Sequence, residues 1–267
     1  MIRLLKIELN KILPSRIFWI LIILYVALIA LVFAGTQGFI NKVASDAGQR
    51  SPIPIPEFSI YTFPGIWHNL TFIAGYFKIF LAVLVIILIT NEFSYRTIRQ
   101  NIMAGMSRLD FLKSKILSIA MISIGATLLI FIIGLILGLI YSDDYTFASV
   151  FGNMIFLPGY LLEIFSFLVF AFMIGFLVKR SGFAIGLLLL YYIVIEPIAV
   201  YKLPDEWEII MPLNNIANLI DVPNTALMKL FGVEFQDYIA MSDIGMVSLY
   251  TLLFLGITYT VLLKRDL

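Results

Sequence analysis

Six stretches of nearly unbroken apolar character divide the chain, at about residues 17–34, 71–90, 116–141, 152–178, 182–201 and 244–263. Each approaches or exceeds the roughly 20 apolar residues a helix needs to cross a hydrocarbon layer about 30 Å thick. The pattern predicts an all-α polytopic membrane protein: a single transmembrane domain over 1–267 with six spans. Two connections are long, at about 35–70 and 202–243.

Polar positions give the connections their character. In residues 1–16, Ile2, Leu5, Leu9 and Ile12 recur at helical spacing, with Arg3, Lys6, Asn10 and Lys11 between them. That periodicity predicts an amphipathic helix lying in the headgroup plane, its cations against anionic lipid. Pro14 separates it from the first span. The first apolar run, at roughly 18 residues, is longer than a signal-peptide core and reads as a retained span. Between spans two and three, NEFSYRTIRQNIMAGMSRLDFLKSK predicts a short helix over about Glu92 to Met103, a turn at Ala104-Gly105, and an N-cap at Ser107 for the next span. Pro52, Pro54 and Pro56 predict an extended stretch in the first long connection. In the second, WEIIMPLNNIANLI is apolar but too short to span, which predicts a segment folded back onto the bundle.

Basic residues orient the array. With the N-terminus inside, the inner segments hold Arg3, Lys6, Lys11, Arg16, Arg96, Arg99, Arg108, Lys113, Lys115, Lys179, Arg180, Lys264 and Arg265, and the outer ones hold Lys42, Arg50, Lys202 and Lys229. Thirteen cations against four set both termini in the cytoplasm. Trp19, Trp67, Tyr95, Tyr141 and Tyr201 stand near span boundaries and read as interfacial anchors.

Composition narrows the function classes. The chain is 61% hydrophobic and 13% charged, against roughly 25% charged for soluble domains. A net charge of +1 argues against a nucleic-acid binder. There is no cysteine, which removes disulfides and thiolate metal sites, and with His68 as the one histidine a histidine metal cluster is not expected. No GxxxxGK[ST], GxSxG or HExxH occurs, so no ATP site of the Walker type and no hydrolytic site is predicted.

Three ionisable residues fall inside spans: Lys78, Glu163 and Glu196. A charge at the bilayer centre costs roughly 2.5–3.5 kcal/mol on insertion scales, so such residues face inward and find partners. At about 1.5 Å per residue, Lys78 sits about 10 Å and Glu196 about 8 Å from the outer ends of their spans. Lys78 is expected to pair with one glutamate and leave the other as a polar feature of a pathway. A purely structural ion pair, or a snorkelling Lys78, is the alternative. Gly134/Gly138 and Gly182/Gly186 form GxxxG patterns that permit close helix approach, more within one subunit than between two.

The basic interfacial helix, the six spans, the stretch Asn91–Gln100 with Ser107-Arg108 and Lys113-Ser114-Lys115, the outer fold-back segment and the Lys264-Arg265-Asp266 tail together resemble the permease subunits of ABC-2 type ATP-binding-cassette exporters. The resemblance covers essentially the whole chain and implies a multi-pass protein of the bacterial cytoplasmic membrane. It implies partners: a second permease subunit, the same or different, and separate ABC ATPase subunits, beside membrane lipid and with no nucleic acid. It implies that no cofactor binds here, ATP and Mg residing on the ATPase, and that the chain catalyses no covalent step. Glu92, Phe93, Tyr95, Arg96 and Arg99 would then sit on a coupling helix seated in the ATPase. Trp207, Asn214, Asn215 and Asn218 would lie on an outer lid. Two other classes stay open: an ion-coupled carrier using Lys78, Glu163 and Glu196, and a non-transporting membrane anchor or immunity protein.

Overall fold

The computed structural model describes residues 2–50, 59–204, 210–223 and 238–264. The Pro52–Pro56 stretch, Trp207, Lys229 and Arg265 lie outside these residues. Among the described residues every regular element is helical. The order is α1 (Ile2–Ile12), α2 (Arg16–Arg50), α3 (Ile66–Gly75), α4 (Lys78–Ser94), α5 (Thr97–Met103), α6 (Arg108–Tyr141), α7 (Phe147–Phe151), α8 (Phe156–Val178), α9 (Ser181–Leu190), α10 (Glu196–Lys202), α11 (Pro212–Ala217) and α12 (Met241–Lys264).

Five stretches are long and apolar enough to cross a membrane: Arg16–Phe39, Arg108–Tyr141, Phe147–Val178, Ser181–Lys202 and Met241–Lys264. The sixth is the pair α3–α4, bent by 48°. It corrects the expected continuous span over 71–90. The span opens at Ile66 and breaks at Tyr76-Phe77, where the amides turn back to the carbonyls of Ile73 and Ala74. Lys78 opens α4 directly after the break. It therefore lies about 18 Å along the helix pair from Ile66, deeper than a start at residue 71 would put it.

Helix α8 is the hub. Its sequence is apolar on all sides, and Phe167, Leu168, Val169, Ala171, Phe172 and Phe176 are all buried. A helix apolar all round is stable only when surrounded. Here α3, α4, α6, α9 and α12 surround it. The outer helices instead turn apolar stripes outward: Ile124, Leu128, Ile132 and Ile136 recur every four residues along the exposed side of α6. In lipid this is the satisfied state. Polar ties join spans to the hub, from Tyr25 Oη to Tyr160 Oη at 2.9 Å and from Thr251 to Ser166 at 2.7 Å.

Glycine explains one close approach. A Cβ on Gly134 would sit 2.6 Å from the Trp67 ring, and one on Gly138 would overlap the Phe63 ring. Trp67 is fully buried, stacked on Phe131, and its Nε1 donates to the Val150 carbonyl at 2.8 Å. Trp67 is thus no interfacial anchor, as its position suggested, but the knob in a glycine socket on α6. By contrast, nothing lies within 4 Å of a Cβ at Gly182 or Gly186. Gly134→Leu is expected to destabilise the fold by about 1–3 kcal/mol through overpacking. Gly182→Ala is expected to leave the thermal midpoint in detergent unchanged, and equal midpoints for the two variants would contradict this packing.

The first and last described helices are fixed to one face. Arg108, at the start of α6, donates to the carbonyls of Leu262 and Leu263 at the end of α12, capping that helix terminus. Ion pairs hold α1 beside the same end of α6. Counting the bent pair as one span gives six candidate crossings, the even number that the cation-based orientation requires.

Candidate functional site

Two polar regions stand out in this apolar bundle, one at its inner face and one toward its outer face. At the inner face, the expected helix over Glu92 to Met103 is corrected. Helix α4 runs on to Ser94, the chain turns at Tyr95-Arg96, and α5 occupies only Thr97–Met103. The break comes from Arg96, whose φ of 56° is left-handed. That conformation closes a helix in L-residues. At the other end Gly105, at φ 93°, makes the turn, and Ser107 Oγ accepts from the Asp110 amide at 3.0 Å to cap α6, as the sequence predicted.

This geometry separates the five residues singled out from sequence. Tyr95, Arg96 and Arg99 are exposed, with Tyr95 at 72%. Ile98 is buried and anchors α5 against the bundle, and Met103 is exposed at its end. Phe93 turns inward, edge-on to Phe176 at 5.2 Å, with the Lys179 ammonium 5.5 Å from its ring centre. Glu92 is only 7% exposed and does not belong to the outward face at all. Lys113, Lys179 and Arg180 are also exposed around this end of the bundle and keep it basic.

Glu92 belongs to a buried ion cluster that the sequence reading missed. Lys115 Nζ donates to Glu8 Oε2 at 2.7 Å and also to Glu92 Oε1. Lys11 donates to Glu92 Oε1 at 3.3 Å, and Ser114 and Ser118 donate to the Glu8 carboxylate. The cluster joins α1, α4 and α6, with two acids balanced by two lysines. Coulomb attraction in a low-dielectric site is strong, and such a cluster costs little only while every partner remains. A signal was available. Glu8 lies on the Leu5–Leu9–Ile12 stripe of α1, where a carboxylate has no place unless a cation meets it.

Toward the outer face, Lys78 Nζ donates to Glu163 Oε1 at 2.6 Å, with both side chains almost fully buried. Its ammonium also lies 5.2 Å from the Phe167 ring centre and 5.7 Å from that of Tyr192. Gly75 makes room for the carboxylate: a Cβ there would stand 3.0 Å from Glu163 Oε1.

Glu196 takes no part in the pair. It sits where Ser181–Lys202 loosens into a π-turn over Tyr191–Ile195, directly before Pro197. The Glu196 amide reaches the Tyr191 carbonyl, five residues back. Proline offers no N–H to continue the helical ladder, and a wider turn absorbs the mismatch. Glu196 Oε1 accepts from the Asn214 amide at 2.8 Å, which pins α11 to the span.

Helix α11 and residues 218–223 do fold onto the bundle, burying Leu213, Ile216, Leu219 and Ile220. His68 ties down the far end: its Nε2 is 2.8 Å from the Asp221 carbonyl oxygen and its ring stacks on Phe156 at 3.9 Å. Burial pushes the Asp221 carboxyl above the usual range, helped by Asp243. Two cavities lie under this segment. One, of ≈ 200 Å³, is lined by Lys78, Glu163, Tyr192, Asn218 and Asp221. The other, of ≈ 450 Å³, is lined by Tyr192, Glu196, Pro197 and Asn214. Asn215 faces neither; its Nδ2 donates to the Met211 carbonyl at 2.6 Å.

Among the described residues no group of acidic or histidine side chains is arranged to hold a metal ion. No curated protein matches the chain in sequence. The family model described as ABC-2 family transporter protein matches residues 2–267. The chain therefore belongs to that family and is a multi-pass permease, the membrane component of an ABC transporter.

Proposed function

We propose that this permease is one half of the membrane pathway of an ATP-driven exporter in a bacterial cytoplasmic membrane. A second permease subunit, a copy or a relative, completes the pathway. Separate ATPase subunits bind below, carrying ATP and Mg, and the permease itself performs no covalent chemistry.

The observation that carries this reading is α5. It is a short helix held by Ile98 at the inner face between α4 and α6; it presents Arg99 and Met103 outward, beside Tyr95 and Arg96 in the turn that precedes it. Tyrosine and arginine are the residue types that dominate binding energy at protein interfaces. Beneath them, Glu92 and Phe93 connect the ATPase seat to α1, α6 and α8. Closure of the ATPases moves α5, and the buried cluster passes the displacement to α4 and α6 together. The drive is the difference in ATP affinity between the inward- and outward-open states.

On the outer side, Asn214, Asn215 and Asn218 belong to the lid, and the cavities under it are the exit end of the path. Glu196 holds the lid shut through Asn214. A bent span with a buried ion pair is also a feature of ion-coupled carriers. Here Lys78 and Glu163 neutralise each other, so we assign the pair to joining the α3–α4 break to α8.

The test is co-purification. Tagged permease in mild detergent is expected to bring down a stoichiometric ATPase. The Tyr95→Ala/Arg99→Ala variant is expected to lose at least about 2 kcal/mol of that association, the scale of one anchor at the centre of an interface. Equal recovery of ATPase by the variant would move the seat away from α5.

A further inference from the structure

The exposed charge at the inner face has one sign. Among the described residues its acids are Glu8 and Glu92, both buried in the ion cluster, and Asp110, which accepts from Ser107 Oγ at 2.7 Å. Some of the cations are already engaged: Lys11 and Lys115 in the cluster, Arg108 on the end of α12, and Lys179 beside the Phe93 ring. Arg96, Arg99, Lys113 and Arg180 are exposed, and their side chains have no ion-pair or hydrogen-bond partner among the described residues.

Position sets these cations apart from the lipid rim. Helix α4, which ends just before Arg96, is packed by α2, α8 and α9, and the hub α8 ends just before Lys179 and Arg180. The inner ends of both helices therefore open over the middle of the bundle, toward the cytosol rather than the surrounding headgroups. The Lys179 ammonium, 5.5 Å from the Phe93 ring centre, brings the two turns side by side. Uncharged Tyr95, Gln100 and Met103 stand exposed among the cations. Aromatic and methionine side chains inside a polar rim are the anatomy of a protein interface.

The backbone adds a second observation. Arg96 and Lys179 have φ of 56° and 63°, left-handed values that glycine and asparagine adopt far more readily than other residues. Membrane orientation requires cations in these turns but not at their strained positions. A helix C-terminus also attracts a cation, a role that would show in stability. Strain retained at an exposed charged residue points to a use for the charge.

We propose that the partner at this surface is an ATPase with an acidic groove, whose carboxylates face Arg96, Arg99, Lys179 and Arg180 around an uncharged floor that takes Tyr95 and Met103. The inference rests on the reading of α5 as the ATPase seat and adds the chemistry by which that seat selects its partner. Opposite charge speeds the encounter, and salt screens it.

The experiment measures the association rate of the permease, in nanodiscs of phosphatidylcholine alone, with the ATPase that co-purifies with it. For the wild type the rate is expected to fall at least about tenfold between roughly 0.05 and 0.5 M potassium chloride. Arg96→Asn/Lys179→Asn removes two charges where asparagine accepts the backbone. It is expected to slow association at low salt at least about fivefold, to flatten the salt dependence and to keep the thermal midpoint, while Arg96→Lys associates like the wild type. Should the asparagine variant lose stability, Arg99→Gln/Arg180→Gln, at exposed side chains without partners, decides in its place by the same slowing. An unchanged rate in the deciding variant overturns the inference and leaves the cations to topology and helix ends. Salt-independent association of the wild type overturns the acidic groove, and salt dependence that appears only after phosphatidylglycerol is added assigns the patch to anionic lipid instead. In each of these cases, protection of Met103→Cys from a maleimide by bound ATPase keeps α5 as the seat. Loss of that protection, or the absence of any bound ATPase, fails the seat reading itself and this inference with it.

Discussion

Lys78→Met is expected to destabilise the protein by about 3–5 kcal/mol, because it leaves the Glu163 carboxylate buried without its cation. The burial is what makes the effect large. Lys78 and Glu163 are 2% and 3% exposed, at a helix break where Gly75 has already yielded its side-chain volume to the carboxylate. The ammonium also loses its contacts with the Phe167 and Tyr192 rings. The double change Lys78→Met/Glu163→Met is expected to recover most of the loss, since apolar residues of similar volume often replace a buried ion pair without penalty. Thermal midpoints of the two variants in detergent check this directly. A single variant as stable as wild type would show that the pair does not hold α3–α4 to α8. Transport by the stable double variant then separates packing from pathway: continued transport makes the pair structural, and its loss places the pair in the path.

The second large effect is expected at the inner face. Lys115 is the cation shared by Glu8 and Glu92. Lys115→Met leaves two buried carboxylates facing each other with only Lys11, partly exposed, between them. A loss of about 3–5 kcal/mol is expected, by the same argument from an uncompensated buried charge. It should appear first as release of α1, because Glu8 is that helix's one buried polar tie to α6 among the described residues. Limited proteolysis near Pro14 reads that release. Lys115→Arg keeps the charge and is expected to protect α1, whereas equal cleavage of the Met variant and wild type would contradict the cluster's role.

Much of the architecture was legible because the bilayer itself imposes it. Spans must be long, apolar and flanked by inner cations, and these requirements are written in composition and charge. The Ser107 cap and Gly105 turn were legible for local reasons, since a hydroxyl three residues before Asp110 and a glycine at positive φ act within one turn. The break between α4 and α5 was not. NEFSYR contains neither glycine nor proline, and only the left-handed Arg96 divides it. Glu92 consequently read as a surface residue when it closes a cluster with Glu8, eighty-four positions earlier.

The same limit appears deeper in the membrane. Sequence placed three charges inside the spans but could not choose between Glu163 and Glu196 as the partner of Lys78. That choice depends on the 48° bend after Gly75, which turns Lys78 toward α8. Trp67 read as an interfacial anchor because a tryptophan near a span edge usually is one. The socket that buries it is on another helix, at Gly134.

Helix α5 is the proposed seat of a separate ATPase. The chain contains no cysteine, so a single introduced thiol reports one position only. Met103, 71% exposed at the end of α5, is the position for it. Met103→Cys is expected to react readily with a maleimide in the isolated permease and to be protected when the ATPase co-purifies at stoichiometric amounts. Equal reactivity with and without bound ATPase would contradict the account and place the coupling surface elsewhere on the inner face.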